Sequence, residues 1–174
     1  MKYNYSDFYC VAKVDDIDAI MEVIEDARLF LKEEGNGQWQ DGYPDRCDLL
    51  NDIKNERLFV IKDETNTIAA VCAITYYEED YSHLYEGKWK SDYDYCVMHR
   101  VAVRRNKRNQ GFGKKLFEVF IDVAKIEGYH SLRIDTHKNN KQMLHLFELF
   151  GFEYCGKAIL KPNKDRVVYE KIIW

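Results

Sequence analysis

"VMHRVAVRRNKRNQGFGKKLFEVF", residues 97–120, begins as an apolar strand, crosses a run of arginines and lysines, turns on Gly111 and Gly113, and leaves as an amphipathic helix. Positions 100–115 hold seven Lys or Arg and no acid. The whole chain carries a net charge of −4, so the other residues sum to −4 − 7 = −11. Positive charge gathered at one strand-to-helix turn of an acidic protein points to an anion. A helix N-terminus offers unpaired backbone N–H groups and the positive end of the helix dipole. Glycines at such a turn let an oxygen approach with no Cβ in the way, and phosphate is the anion that this geometry serves best.

The rest of the chain sets bounds on the answer. At 174 residues it is read as one domain, 1–174, with 46 % hydrophobic and 14 % aromatic residues, ample material for a core. No segment approaches the roughly 20 apolar residues of a membrane span, and residues 1–18 contain no continuous apolar run of signal-peptide type. Cys10, Cys47, Cys72, Cys96 and Cys155 are odd in number and never paired as CxxC. That spacing argues against a disulfide framework or a zinc site and for reduced thiols in the cytoplasm. His83, His130, His137 and His145 show no metal-ligand spacing, so no metal is expected. A sequence pI near 5.8 gives no reason to expect a nucleic-acid partner.

Periodicity outlines the elements. Residues 8–14 read as a first strand; 15–35 read as a helix with Ile17, Ile20, Met21, Ile24, Ala27 and Leu31 on one stripe, stopped by Gly35. Residues 45–55 suggest a short helix, and 57–63 with 67–77 a strand pair. Strand 94–103, the helix after the glycines, strand 131–137 and helix 140–151 follow. Residues 152–160 and 166–174 read as two last strands about the turn 161–165. The expected fold is mixed α/β, a mostly antiparallel central sheet flanked by helices.

Three phosphate-binding motifs compete for the glycine turn. A P-loop fails, because Lys115 follows Gly113-Lys114 and Arg108 stands where its first Gly belongs. A dinucleotide fingerprint departs at Leu116, although Asp135 ends the next strand where a ribose-binding acid would stand. The third, [RQ]xxGx[GA], is matched at every fixed position by Arg108-Asn-Gln-Gly111-Phe-Gly113. With "HRVAV" before it and "NNKQMLHLFELFGF" (139–152) after it, the chain resembles the GNAT (GCN5-related N-acetyltransferase) superfamily. Asn140, Met143, Leu146, Gly151 and Phe152 align with that family's later segment.

The resemblance implies acetyl-coenzyme A as cofactor and transfer of its acetyl group to the primary amine of a small molecule, by a monomer or homodimer. The backbone of Val101, Ala102 and Val103 would pair with the pantetheine arm. The amides of Arg108, Asn109, Gln110, Gly111, Phe112, Gly113 and Lys114 would hold the pyrophosphate, with Arg104 and Arg105 as neighbours of the ribose phosphate. Asn140 and Met143 would flank the cofactor, Asn140 doubling as an N-cap. Val101 N–H would donate to the carbonyl oxygen in the transition state. The family's usual thiol-protonating Tyr is replaced by Phe147, leaving Tyr154 as a substitute acid or the thiolate to depart unaided. The alternative, a catalytically silent coenzyme A-binding module, draws on the same substitution.

His99 is the candidate base, two residues before Val101 and so on the same side of the strand, with an imidazole's titration near neutral pH. Glu78 and Glu79 compete with it. Residues 76–95, rich in acid and tyrosine, and residues 38–44 would build the acceptor site. Trp39, Tyr43, Tyr77 and Glu78 are its candidates, since carboxylates and aromatic faces attract a cationic amine.

Overall fold

The computed structural model describes residues 8–161 and 163–173. These form β1 (Cys10–Val11), α1 (Ile17–Glu33), α2 (Arg46–Lys54), β2 (Leu58–Lys62), β3 (Ile68–Thr75), β4 (Leu84–Gly87), β5 (Tyr95–Val103), α3 (Phe112–Glu127), β6 (Ser131–Thr136), α4 (Lys141–Leu149), β7 (Glu153–Leu160) and β8 (Lys164–Ile172). They gather into two compact units interleaved along the chain, Met1–Ile74 with His99–Val119 and Thr75–Met98 with Phe120–Trp174. The class is the expected one: mixed α/β, with β5 and β6 parallel and the other described pairings antiparallel.

In the first unit β1, β2 and β3 lie side by side, followed by the His99–Val103 half of β5, where Arg104 N donates to Ala69 O at 2.8 Å. β2 and β3 are near-continuous apolar runs, as strands covered on both faces must be. The Asp63 side chain shapes the turn between them, Oδ1 accepting from Thr65 N and Thr67 N. α1 buries Ile17, Ile20, Val23, Ile24 and Ala27, a helical stripe packed with Leu49 and Ile53 of α2, Leu58 and Val60 of β2, and Ala102 of β5. Each fully buried Ile or Leu there contributes about 1.5–3 kcal/mol. α2 starts at a reciprocal cap: Asp48 N donates to Asp45 Oδ1 and Asp45 N to Asp48 Oδ2, both at 2.9 Å.

In the second unit the order is β5 (its Tyr95–Met98 half), β6, β8, β7, β4. Tyr95, Cys96 and Val97 pair with Ser131, Leu132 and Arg133 in parallel, and α3 leads into that crossover. A buried polar centre anchors this sheet. Glu170 of β8 accepts from Ser131 Oγ (2.6 Å) and Ser91 Oγ (2.7 Å), and meets Arg133 Nε at 3.3 Å. The Arg133 guanidinium lies between Trp89 and Tyr95, 4.2 and 4.0 Å from their ring centres. Burial alone would raise the Glu170 carboxyl; the hydroxyl and amide donors and the Arg133 charge outweigh it and hold it below the ordinary carboxylate value.

Two expectations are corrected. The first strand, expected over 8–14, is shorter: Cys10 and Val11 pair with β2 and Ala12 N donates to Leu58 O, before a 3₁₀ turn at Val14–Asp16, where Lys13 N donates to Asp16 Oδ2. Residues 76–95, read as an acceptor loop, contain a 3₁₀ turn and the unforeseen strand β4, which pairs with β7. Tyr81 is wholly buried there, its hydroxyl donating to Asp135 Oδ1 at 2.6 Å, so it serves the core. Pro162 of the expected turn and Trp174 of the expected last strand lie outside the described residues.

β4 exists because two glycines meet across the ladder. Gly87 pairs with Gly156, both at positive φ (82° and 137°). A Cβ on Gly156 would lie 1.9 Å from Glu86 O, and one on Gly87 2.0 Å from Cys155 O. Both obstacles are backbone, so neither can move aside without parting the strands. Gly156→Ala is therefore expected to destabilise the protein by about 2 kcal/mol or more. A urea-unfolding midpoint within error of wild type would contradict this account of the edge.

Candidate functional site

The basic run meets a matching surface on α1. Ala19, Glu22, Asp26, Phe30 and Glu33 are spaced three or four apart and form a second stripe beside the apolar one. Arg104 spreads its guanidinium over three oxygens: Ile68 O at 2.8 Å, Glu22 Oε2 at 2.9 Å and Ala19 O at 3.3 Å. Arg105 N donates to Asp26 Oδ2 at 2.7 Å, and its side chain reaches Glu33 at 3.2 Å. Arg108 donates to Asp26 O and lies over the Phe30 ring, 4.1 Å from its centre. Lys107 is drawn to Asp63 at 2.7 Å, a hydrogen bond that holds the Asp63 carboxyl well below the ordinary range. Five of the seven basic side chains, Arg100 included, thus have acidic or carbonyl partners within the protein; Lys114 and Lys115 are exposed at the start of α3.

This changes the reading of the run. Most of the positive charge is engaged within the protein, three of the arginines on α1, and an anion would be received chiefly by backbone amides. α3 begins at Phe112, two residues earlier than expected, so Gly113 and Lys114 lie in its first turn. No acid of α3 itself occupies that turn, where the positive end of the helix lies. Gly111 has φ +85°, and the space that a Cβ would occupy beside it holds no atom within 4 Å. The backbone is therefore open to an incoming oxygen, with Asn109 also at positive φ (60°) and Gln110 hydrogen-bonded back to Asn106 O.

β5 approaches this turn through a bend. Arg100 adopts φ +53°, a left-handed conformation that a residue with a Cβ avoids. Its Nη1 lies 2.7 Å from Asp52 Oδ2 on α2, and its guanidinium sits 5.4 Å from the Tyr43 ring centre. His99 and Val101 flank the bend half-buried, and Ala102 faces the core. The loop carrying Trp39 and Tyr43 is pinned by Arg28 of α1, which donates to Trp39 O, Gly42 O and Pro44 O. The first unit thus contains His99, Val101, Val103, the glycine turn, Trp39 and Tyr43.

The second unit carries the remaining candidates. Asn140 caps α4, its side chain accepting from Met143 N at 3.2 Å. Phe147 is fully buried against Tyr169 and Phe152, ring centres 4.8 and 5.9 Å away. The Tyr154 hydroxyl donates to Glu86 Oε1 at 3.0 Å; burial and that carboxylate raise the phenol above its ordinary value. Glu78 caps the 3₁₀ turn, accepting from Asp80 N, whereas Glu79 is exposed and pairs with Lys161. Tyr77 is 64 % exposed. Among the described residues no cluster of His, Cys, Asp or Glu could hold a metal ion, and no helix is long and apolar enough to cross a membrane.

Asp52 and Arg28 escaped the sequence reading. Asp52 had a signal, an acid set beside Leu49 and Ile53 on the apolar face of a short helix. The residue is 4 % exposed, and burial raises its carboxyl above the ordinary value of 3.8 despite the charges of Arg100 and His99. A buried acid with a raised pKa holds its proton more readily when folded than when unfolded. The stability it lends is thus present below the ordinary value and lost as pH rises through the raised one. The stability difference between wild type and Asp52→Asn is expected to fall over that pH window. A difference that grew with pH would mean that the Arg100 charge outweighs burial.

Comparison with known proteins gives the geometry its context. Residues 20–152 match the model of the acetyltransferase (GNAT) family. An acetyltransferase of the GNAT family from Streptococcus agalactiae is 33 % identical with a TM-score of 0.86, over 95 % of each chain. The ribosomal-protein-S18-alanine N-acetyltransferase of Escherichia coli shares the fold, with a TM-score of 0.66 at 16 % identity over 95 % of this chain and 92 % of its own. An uncharacterised N-acetyltransferase of Dictyostelium discoideum is 30 % identical over 77 residues, 44 % of this chain, which spans 36 % of that relative's length. The matched span includes both glycines of the turn, the bend in β5 and the Asn140 cap, and the chain belongs to the GNAT acetyltransferase family.

Proposed function

We propose that the protein is an acetyl-coenzyme A-dependent N-acetyltransferase acting on the primary amine of a small molecule. The observation that carries this reading is the turn Arg108-x-x-Gly111-x-Gly113. Its Gly111 is open, its helix start lacks an acid, and the arginines at 104, 105 and 108 are already held by α1. Backbone amides then face the pyrophosphate unobstructed, with Lys114 as the nearby exposed cation. Val101 and Val103 offer backbone groups to the pantetheine arm beyond Val97, the last residue of β5 paired with β6.

Bound acetyl-coenzyme A supplies an activated thioester carbonyl. His99 takes the proton from the acceptor ammonium, leaving a neutral amine to attack. Val101 N–H donates to the carbonyl oxygen as negative charge develops on it. Glu78 and Glu79 are the alternative bases. The leaving sulfur has no hydroxyl at Phe147, and Tyr154 already donates to Glu86, which favours departure as the thiolate. Exposed Tyr77, Tyr85 and Tyr93 among the acids of 76–95 support a cationic acceptor. We place the reaction in the cytoplasm, in a monomer or homodimer, with neither nucleic acid nor membrane as partner.

A silent coenzyme A-binding module is the second reading, favoured by the buried, hydroxyl-free Phe147. Thiol release with a polyamine, an aromatic amine, an amino acid and an alanyl peptide as acceptors separates the two. Turnover of a small amine supports the first reading, turnover of the peptide alone redirects it to protein amines, and binding without turnover supports the second.

Acetyl-coenzyme A at 100 times its dissociation constant is expected to stabilise the protein by about 2.7 kcal/mol, with no comparable effect of NAD or ATP. Equal stabilisation by NAD would sink the assignment. His99→Ala is expected to lower kcat/KM by roughly 10²–10⁴-fold near neutral pH and to remove the lower limb of the pH profile. An unchanged rate and profile would pass the base role to Glu78, Glu79 or water.

A further inference from the structure

The bend at Arg100 needs a cause. A left-handed arginine inside a strand persists only where its surroundings over-determine it. The bend also decides which side chains face the core. Side chains alternate along a strand, so a one-residue change of phase exchanges the two faces. Were Arg100 to relax to extended backbone, Ala102 would tend to leave the cluster of α1, α2 and β2, and Val101 and Val103 to enter it. The elements packed against Arg100 offer one strong hold, Asp52 of α2.

That hold has an unusual form. Asp52 Oδ2 lies 2.7 Å from Arg100 Nη1, yet neither that oxygen nor Arg100 Nε makes a hydrogen bond among the described residues. The two side chains are 5 % and 13 % exposed. A desolvated ion pair with open hydrogen-bonding capacity is a poor source of stability, and apolar residues of similar size often replace such a pair at no loss. Other charges near Asp52 are those of His99, Asp48 and Arg57, none matching the Arg100 contact. The pair therefore acts on conformation. One of its ends sits in the backbone between His99 and Val101, and the other is fixed in a capped helix.

We propose that Asp52 is a positioning residue for acyl transfer: its buried carboxylate holds the Arg100 guanidinium, and through it the left-handed bend that aims the His99 side chain and the Val101 amide. The proposal rests on reading those two residues as base and oxyanion donor. Asp52 touches neither substrate nor cofactor and takes no proton from the acceptor. Tyr43 packs on the same guanidinium, so the loop that bears Trp39 is tied to the same point.

Glycine supplies the test, because it adopts φ near +53° without a partner. Asp52→Ala, Arg100→Gly and the double variant would be compared by hydrogen–deuterium exchange over residues 97–104 and by kcat for thiol release from acetyl-coenzyme A. The acceptor would be the fastest amine of the panel above. Asp52→Asn, which keeps the volume and removes the charge, replaces the alanine variant if that one fails to fold. Asp52→Ala is expected to speed exchange and to lower kcat, each at least ten-fold. The double variant is expected to lie within three-fold of Arg100→Gly alone in both readouts, since glycine makes Asp52 redundant. If the Asp52 substitution costs the glycine background as much as the wild type, Asp52 acts elsewhere and the proposal fails. If no protein, wild type included, releases thiol while the exchange pattern shows the glycine rescue, the bend device stands and the acetyl-transfer reading falls.

Discussion

The second stripe of α1 is the constraint on which the candidate site depends. Glu22, Asp26 and Glu33 neutralise arginines that would otherwise repel one another across a tight turn, and Phe30 gives Arg108 a flat surface to rest on. Individually, exposed pairs of this sort contribute about 0.2–1 kcal/mol. Their effect here comes from number and from Arg104, whose three donors reach two carbonyls and a carboxylate from a largely buried position. With the side chains committed to α1, the backbone of the turn is held open, and Gly111 faces space that a Cβ would have narrowed. One helix thus builds a core with one stripe and shapes the glycine turn with the other.

The same economy appears at the bend of β5. α2 is short, and its capping box fixes its start within about two turns of Asp52. Leu49 and Ile53 anchor it in the core, and the acid between them reaches the backbone segment where chemistry is proposed. In the second unit, Glu170 and Arg133 illustrate the opposite case. That buried pair is completed by Ser131, Ser91 and two aromatic faces, and its carboxyl is held below the ordinary value. Asp52 lacks such company and its carboxyl is raised. The contrast separates a pair that joins strands from one that directs a backbone.

Much of this was legible in the residues. The glycine turn, the strand before it and the Asn140 helix are local patterns, and local patterns survive folding. The boundaries of α1, α2, β2 and β3 follow from capping residues and apolar stripes in the same way. β4 was not legible, because "LYEG" has no clean alternation and its pairing depends on Gly156, about seventy residues away. The fate of the basic run was half legible. The stripe from Ala19 to Glu33 can be read from its spacing, but nothing local says that it faces Arg104, Arg105 and Arg108. Asp52 stood in plain view on an apolar face; its partner was a non-local fact, and the positive φ of Arg100 had no sequence signal at all.

The central claim is that amides, with the arginines already engaged, receive the coenzyme at the start of α3. Titration of isotopically labelled protein with coenzyme A, followed by ¹⁵N NMR, tests it most directly. The account predicts that the largest shifts belong to the backbone amides of Gly111, Phe112, Gly113 and Lys114, while the Arg104 Nε–H resonance keeps its position, held by Ile68 O. A strong shift of Arg104 Nε–H with those four amides unmoved would show that the basic side chains, released from α1, are the true ligands.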